Sequence, residues 1–249
     1  MPRFFVEDLA RDRVVLTGED AHHLLRVLRS RVGEEQVLCD GRGTDARCVI
    51  TAMEGDQVVL EVLQRTPSRG EPPADITLYQ ALPKGDKLDL ITQKAVELGV
   101  TRLVPVLTRY CVARPDDKAM EKKRQRLQKI AAEAAKQAGR GRVPQVEPPL
   151  SFDAALADMT KAQAAILFYE QADTLLGPVL SRRPGSIALM VGPEGGFSQE
   201  EAAAAREAGL HLCTMGPRIL RCETAPLYAL SAITYHLENL GAPQEGEPQ

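Results

Sequence analysis

Two short segments in the C-terminal half carry the residues best suited to chemistry. The first, residues 190–201, reads MVGPEGGFSQEE. A strand-like apolar run over 186–191 empties into a Gly/Pro-rich turn, Gly192-Pro193-Glu194-Gly195-Gly196, and a helix begins at Ser198. That order is the syntax of a ligand loop at the carboxyl end of a strand in an α/β sheet. Glycine-rich loops in this place usually cradle phosphate, yet neither the P-loop pattern nor the dinucleotide fingerprint is present. Glu194 would also set a carboxylate against a phosphate where the dielectric is low and repulsion strong. The loop suits an uncharged or cationic ligand.

The second segment, residues 215–225, reads MGPRILRCETA and also follows a strand-like run. Its Gly216-Pro217 repeats the Gly-Pro opening, so two strands should end in such loops at one sheet edge. Together they could form one cleft. The first loop offers backbone groups and Glu194; the second offers Met215, Gly216, Ile219 and Leu220, flanked by Arg218, Arg221 and Glu223. An apolar lining with a few polar groups is what a small-molecule cofactor site requires. Arg221 and Glu223 stay open between a structural ion pair and a pair that handles charge and protons. Cys222 stays open between a nucleophile and a small buried residue.

These loops need a sheet covered by helices, and the sequence changes texture to supply it from Ile76. Strand-like runs cover 76–82, 102–107, 164–169, 187–191 and 211–215. Helical patterns cover 86–98, 117–138, 152–159, 199–208 and 226–240. Ser198 with Glu201 three residues on is a capping-box pattern. Alternating strands and helices predict an α/β fold with a mostly parallel sheet. Upstream, residues 1–65 read as short alternating strands, predicting a small β-barrel. A helix over 21–29 interrupts them, with Asp20 as its N-cap. Residues 66–75 have linker composition. The expected division is a barrel domain over 1–70, an α/β domain over 75–241 and a disordered tail over 242–249.

Composition narrows the class. The chain has 249 residues, 44% hydrophobic and 26% charged, as in a soluble globular protein. No apolar run approaches the ~20 residues of a membrane span, and the N-terminus lacks a signal-peptide core. Cys39, Cys48, Cys111, Cys213 and Cys222 are odd in number and never spaced C-x-x-C, which argues for a reducing cytoplasm. His22 and His23 have no carboxylate or cysteine cluster beside them, so no metal site is expected. The net charge of -3 conceals an asymmetry: residues 84–142 carry fifteen Lys/Arg against seven Asp/Glu, whereas 143–249 carry six against thirteen. A basic block of this kind predicts a surface that faces a polyanion. Within it, Lys122, Arg126, Lys129 and Lys136 form a stripe opposite an apolar helical face.

Taken together, VGPEGGFSQEE, MGPRILRCETA and the upstream KGDKLDLITQKAVELGV closely resemble the ribosomal RNA small subunit methyltransferase E family. Arg3-Phe4-Phe5, the run from His22 to Arg29, Arg109, the run from Glu133 to Arg140, and Pro144 extend the resemblance over most of 3–240. The family comprises SPOUT-class, S-adenosylmethionine-dependent enzymes that methylate N3 of a uridine in 16S rRNA. The resemblance implies a PUA-like RNA-binding domain followed by a methyltransferase domain with a deep C-terminal trefoil knot, an exception to unthreaded connections. It also implies a homodimer. Phe168, Gly192 to Gly196, Met215, Gly216, Ile219 and Leu220 would hold the cofactor. Arg221 would stabilise the charge left on the uracil, and Glu223 would orient Arg221 or accept the N3 proton. Arg3, His23, Arg26, Arg29, Lys84, Lys87, Lys94, Arg109, Gln137 and Arg140 would face the RNA. The family commonly has Thr where Cys222 stands, and N3 chemistry needs no covalent intermediate, so Cys222 is read as a buried substitute.

Overall fold

Alternating burial marks the N-terminal strands, as in β2 (Arg13–Leu16), where Val14 and Leu16 point inward and Arg13 and Val15 outward. Before it lies β1 (Arg3–Phe5). After it come α1 (Gly18–His22), which continues as a π-helical turn over His23–Val27, then β3 (Glu35–Cys39), β4 (Thr44–Glu54) and β5 (Gln57–Pro67). The strand order is β1-β3-β4-β5-β2, with β1 parallel to β3 and the remaining pairs antiparallel. Phe4, Leu16, Leu24, Leu38, Ile50 and Leu60 fill the core beneath this sheet. The three residues of β1 are too few to show a period, and they pair with β3 across a long sequence gap, so local pattern does not announce them.

The computed structural model describes residues 3–240. Within them the chain divides into two compact units, one built up to Glu71 together with Ala135–Val143, the other from Pro72–Ala134 and from Pro144 onward. A contiguous division does not anticipate the return of 135–143 to the first unit. The expected tail over 242–249 lies outside the described residues. Glu71 explains the return. Its carboxylate accepts from Arg140 Nη2 at 2.5 Å and from the backbone N–H groups of Gly141 and Arg142 at 3.0 Å each.

The second unit opens with β6 (Asp75–Ala81), α2 (Lys87–Glu97), β7 (Arg102–Leu107) and the long α3 (Asp117–Gln137). Two-residue strands follow, β8 (Gln145–Val146) and β9 (Leu150–Ser151), then α4 (Phe152–Met159) and β10 (Ala164–Phe168). The chain continues through α5 (Leu176–Leu180), β11 (Ser186–Val191), α6 (Gln199–Glu207), β12 (His211–Cys213) and α7 (Thr224–Asn239). The strands run in the order β12-β10-β11-β6-β7-β8, with β9 also on β7, and every pairing is parallel. Strands such as β10 are buried along their whole length, as a sheet covered on both faces requires. One consequence decides where the site lies: β6, β10, β11 and β12 all present their carboxyl ends at the same edge.

Candidate active site

Three of those strand ends enclose a cleft of about 350 Å³. Phe168, Tyr169 and Glu170 approach from the end of β10, Val191 to Phe197 from β11, and Thr214 to Leu220 with Cys222 from β12. Each expected cofactor residue, from Phe168 to Leu220, therefore lines the cleft. Tyr169, Glu170 and Thr214 also line the cleft, although the sequence reading singled out none of them. Their signal was positional, since all three lie within two residues of a strand's carboxyl end.

The glycines of the first loop stand where an added side chain would crowd its neighbours or strain the backbone. A Cβ on Gly192 would stand 3.1 Å from Gly196 Cα, and one on Gly195 would stand 3.0 Å from Tyr110 Cβ. Gly196 also takes φ +66°, a conformation that disfavours side chains. A Gly196 N–H bond to the Pro193 carbonyl at 3.0 Å closes the turn. Ser198 then starts α6 with the expected capping box: its Oγ accepts from Glu201 N at 3.2 Å, and Glu201 Oε2 accepts from Ser198 N at 2.9 Å. The other carboxylate oxygen of Glu201 accepts from the Arg109 backbone N–H at 2.8 Å, tying the loop after β7 to the cofactor loop. Behind the turn, buried Gln80 donates through Nε2 to the Gly192 carbonyl at 3.4 Å.

Charges gather at the rim. Lys87, the first residue of α2, places Nζ 2.9 Å from Glu194 Oε1 and 3.2 Å from Glu223 Oε2. The Lys84 backbone N–H adds a bond to Glu194 Oε1 at 3.1 Å. Partial burial works against ionisation of Glu194, but the Lys87 ammonium and the backbone donors outweigh it and bring the carboxyl to about 2. Glu223 is also lowered, by its own backbone N–H, then by Cys222 and Lys87. The Cys222 thiol donates to Glu223 Oε2 at 3.3 Å. Burial, reinforced by the Glu223 and Glu194 carboxylates, pushes it to about 12. A thiol held there stays protonated at neutral pH and is no nucleophile.

Arg221 and Glu223 form no ion pair among the described residues. Glu223 turns to Lys87 and Cys222, whereas the exposed guanidinium of Arg221 has no partner among the described residues. Ile219, expected to hold the cofactor, lines the cleft mouth with 85% of its surface exposed.

Residues 70–234 match the family model described as an RNA methyltransferase domain, and residues 16–63 the one described as an RNA methyltransferase PUA domain. Ribosomal RNA small subunit methyltransferase E of Bacillus subtilis is 37% identical, covering 98% of this chain and 100% of the relative. The chain belongs to the ribosomal RNA small subunit methyltransferase E family. The Mycobacterium bovis member is 33% identical over 88% of this chain and 85% of its own length. The solved Neisseria gonorrhoeae member, bound to S-adenosyl methionine, is 37% identical with a TM-score of 0.82, covering 94% of this chain and 96% of that one. A Legionella pneumophila structure with the bound cofactor SAM matches at 30% identity and a TM-score of 0.76, covering 93% and 95%.

The residues that the methyltransferase E resemblance assigned to RNA differ in exposure and in partners. Arg26, Arg29, Lys84, Arg109 and Gln137 are exposed, and His23 is half-buried with its ring edge-on to Phe4 at 6.0 Å. Arg109 pairs with Glu200 at 2.9 Å and Lys94 with Glu97 at 2.7 Å. Arg3 is committed to Asp45, 2.7 Å away, and to Ser68. Arg140 requires a correction: at 2% exposure its guanidinium is closed off around Glu71 and cannot reach a phosphate. Part of the basic stripe on α3 is likewise engaged, Arg126 with Asp86 and Asp89 and Lys136 with Asp20. Among the described residues no cluster of His, Cys, Asp and Glu could hold a metal, and no helix is long and apolar enough to cross a membrane.

Proposed function

We propose that this protein transfers a methyl group from S-adenosylmethionine to N3 of a uridine in 16S rRNA of the small ribosomal subunit. The observation that carries the reading is the cleft itself. Two Gly-Pro loops from parallel strands enclose it, and Glu170 and Glu194 face it with no phosphate-binding lysine of P-loop type. The cofactor has no phosphate and bears a sulfonium cation, so this lining fits it. When bound, S-adenosylmethionine supplies an electrophilic methyl group.

The chain's own contribution is mainly to position the two reactants and to exclude water. Phe168, Val191 and Leu220 supply the apolar walls, and the crowded turn at Gly192 and Gly195 supplies backbone groups close to the ligand. The N3 proton of uridine must leave as the new bond forms. Arg221, whose guanidinium has no partner among the described residues, stabilises the charge left on the uracil carbonyls. Glu223, ionised and beside the same cleft, accepts the proton directly or through water.

The family further implies a PUA-like RNA-binding domain over 1–70 and a methyltransferase domain over 75–241 that carries a deep trefoil knot. It implies a cytoplasmic homodimer whose second copy completes the site, with Arg26, Arg29, Lys84 and Arg109 facing phosphates. The decisive experiment incubates the protein with labelled S-adenosylmethionine and unmodified small subunits, then maps the product. Label at N3 of one 16S uridine is the expected result; label on a uridine carbon, or on tRNA alone, rejects it.

A further inference from the structure

We propose that Lys87 is a positioning residue that ties the cofactor loop to the loop of Arg221 and Glu223. The inference rests on the cleft being a cofactor site, as argued above, and concerns what holds its two walls together. Glu194 belongs to the loop after β11, Glu223 to the loop after β12, and Lys87 to the segment after β6. Its ammonium contacts both carboxylates, at 2.9 and 3.2 Å, and donates to the Cys222 sulfur at 3.5 Å. No other cation forms an ion pair with either carboxylate among the described residues.

The placement runs against local preference. A cation at the first position of a helix faces the positive end of the macrodipole, where acids are favoured. The two carboxylates offset that disadvantage. They also need the lysine, because without it two ionised acids from neighbouring loops would face one another with only backbone donors and a thiol between them. With it, the trio carries a net charge of minus one, so the rim keeps an excess negative charge suited to a cationic ligand. Glu194 is anchored twice to the same segment, since the Lys84 N–H binds the oxygen that Lys87 binds. An ammonium shared by two carboxylates is a poor phosphate ligand, so Lys87 acts on cofactor affinity and leaves RNA affinity alone.

Calorimetric titration with S-adenosylmethionine and S-adenosylhomocysteine, alongside binding to unmodified small subunits over a salt series, tests this. Lys87→Met should weaken cofactor binding about tenfold, the groups being partly exposed. Lys87→Arg should recover most of the loss, and both variants should keep the wild-type thermal midpoint and the salt slope of subunit binding. Lys87→Met combined with Glu194→Gln should lose less than the sum of the single changes. Should Lys87→Met melt early, Glu223→Gln provides the same comparison with the lysine in place, and a cofactor affinity equal to wild type would count against the tie. Normal cofactor affinity in Lys87→Met, with weaker subunit binding and a salt slope reduced by about one, overturns the inference and makes Lys87 an RNA contact. Wild-type protein that binds neither ligand would instead overturn the reading of the cleft, and this inference with it.

Discussion

Arg140 and Glu71 stand sixty-nine positions apart in the chain and meet at 2.5 Å, with the arginine almost wholly enclosed. Removing one member of such a pair leaves the other charged, buried and uncompensated. Glu71 also holds two backbone N–H groups, so the pair fixes the chain from Gly141 to Arg142 as well. Arg140→Ala should therefore cost roughly 3–5 kcal/mol in urea denaturation. Subunit binding by the folded fraction should keep its salt dependence. A stable variant with a reduced salt slope would return Arg140 to the RNA-facing set.

At the opposite edge of the sheet from the cleft, Asp158 accepts from Tyr79 at 2.7 Å and from Arg102, and pairs with Lys161 at 3.0 Å. Burial tends to raise its carboxyl, but Arg102, Tyr79 and Lys161 together hold it well below the usual range. A depressed folded value means stabilisation that is complete above the unfolded value of about 3.9 and fades as pH falls below it. Asp158→Asn should thus be less stable than wild type at pH 7, and the gap should shrink progressively below about pH 4. Urea midpoints at the two ends of that range check it, and a gap independent of pH would contradict it.

How much of this was legible in advance follows the range of the interactions. Parallel strands and their helices announce themselves through local period, and the capping box at Ser198 and Glu201 is written within four residues. Both Gly-Pro loops were readable because turn chemistry is local too. Lys87 was not readable as the partner of Glu194. Its role appears only once β6 is seen beside β11, a neighbour set by sheet order rather than by spacing along the chain. The same holds for β1 beside β3, and for residues 135–143, whose membership of the first unit depends on Glu71. The resemblance set Arg140 among the RNA-facing residues, and neither a family motif nor local spacing shows that its acid partner lies sixty-nine positions away.

Cys222 gives a direct chemical check. The residue is 5% exposed and its thiol is raised to about 12 by burial, by the hydrogen bond to Glu223 and by Glu194. At pH 8 the group is then held as the thiol, so alkylation should be very slow. Mass spectrometry after brief iodoacetamide treatment should find Cys222 unmodified in native protein and fully modified in urea. Cys222→Thr should retain methyl transfer, since a hydroxyl can donate to Glu223 as the thiol does. Loss of all activity in that variant would require a covalent role for the sulfur.

Arg221 separates chemistry from binding more cleanly than any other position. Its guanidinium is exposed and unpartnered among the described residues, while its backbone carbonyl accepts from Thr224 N at 2.8 Å and Ala225 N at 2.9 Å as α7 begins. Truncating the side chain leaves those backbone bonds intact, so stability should change by no more than about 0.5 kcal/mol. Cofactor affinity should also hold, because Glu194 and Glu223 stay with Lys87. What should fall is turnover, by about 10²–10³-fold, the loss seen when one donor to a developing oxyanion is removed. Arg221→Lys should recover only part of it, since a point charge replaces a planar fork. Single-turnover methylation of unmodified subunits at saturating cofactor measures the chemical step directly. Unchanged turnover in Arg221→Ala would move the charge-stabilising role elsewhere in the loop, with Arg218 the first position to examine.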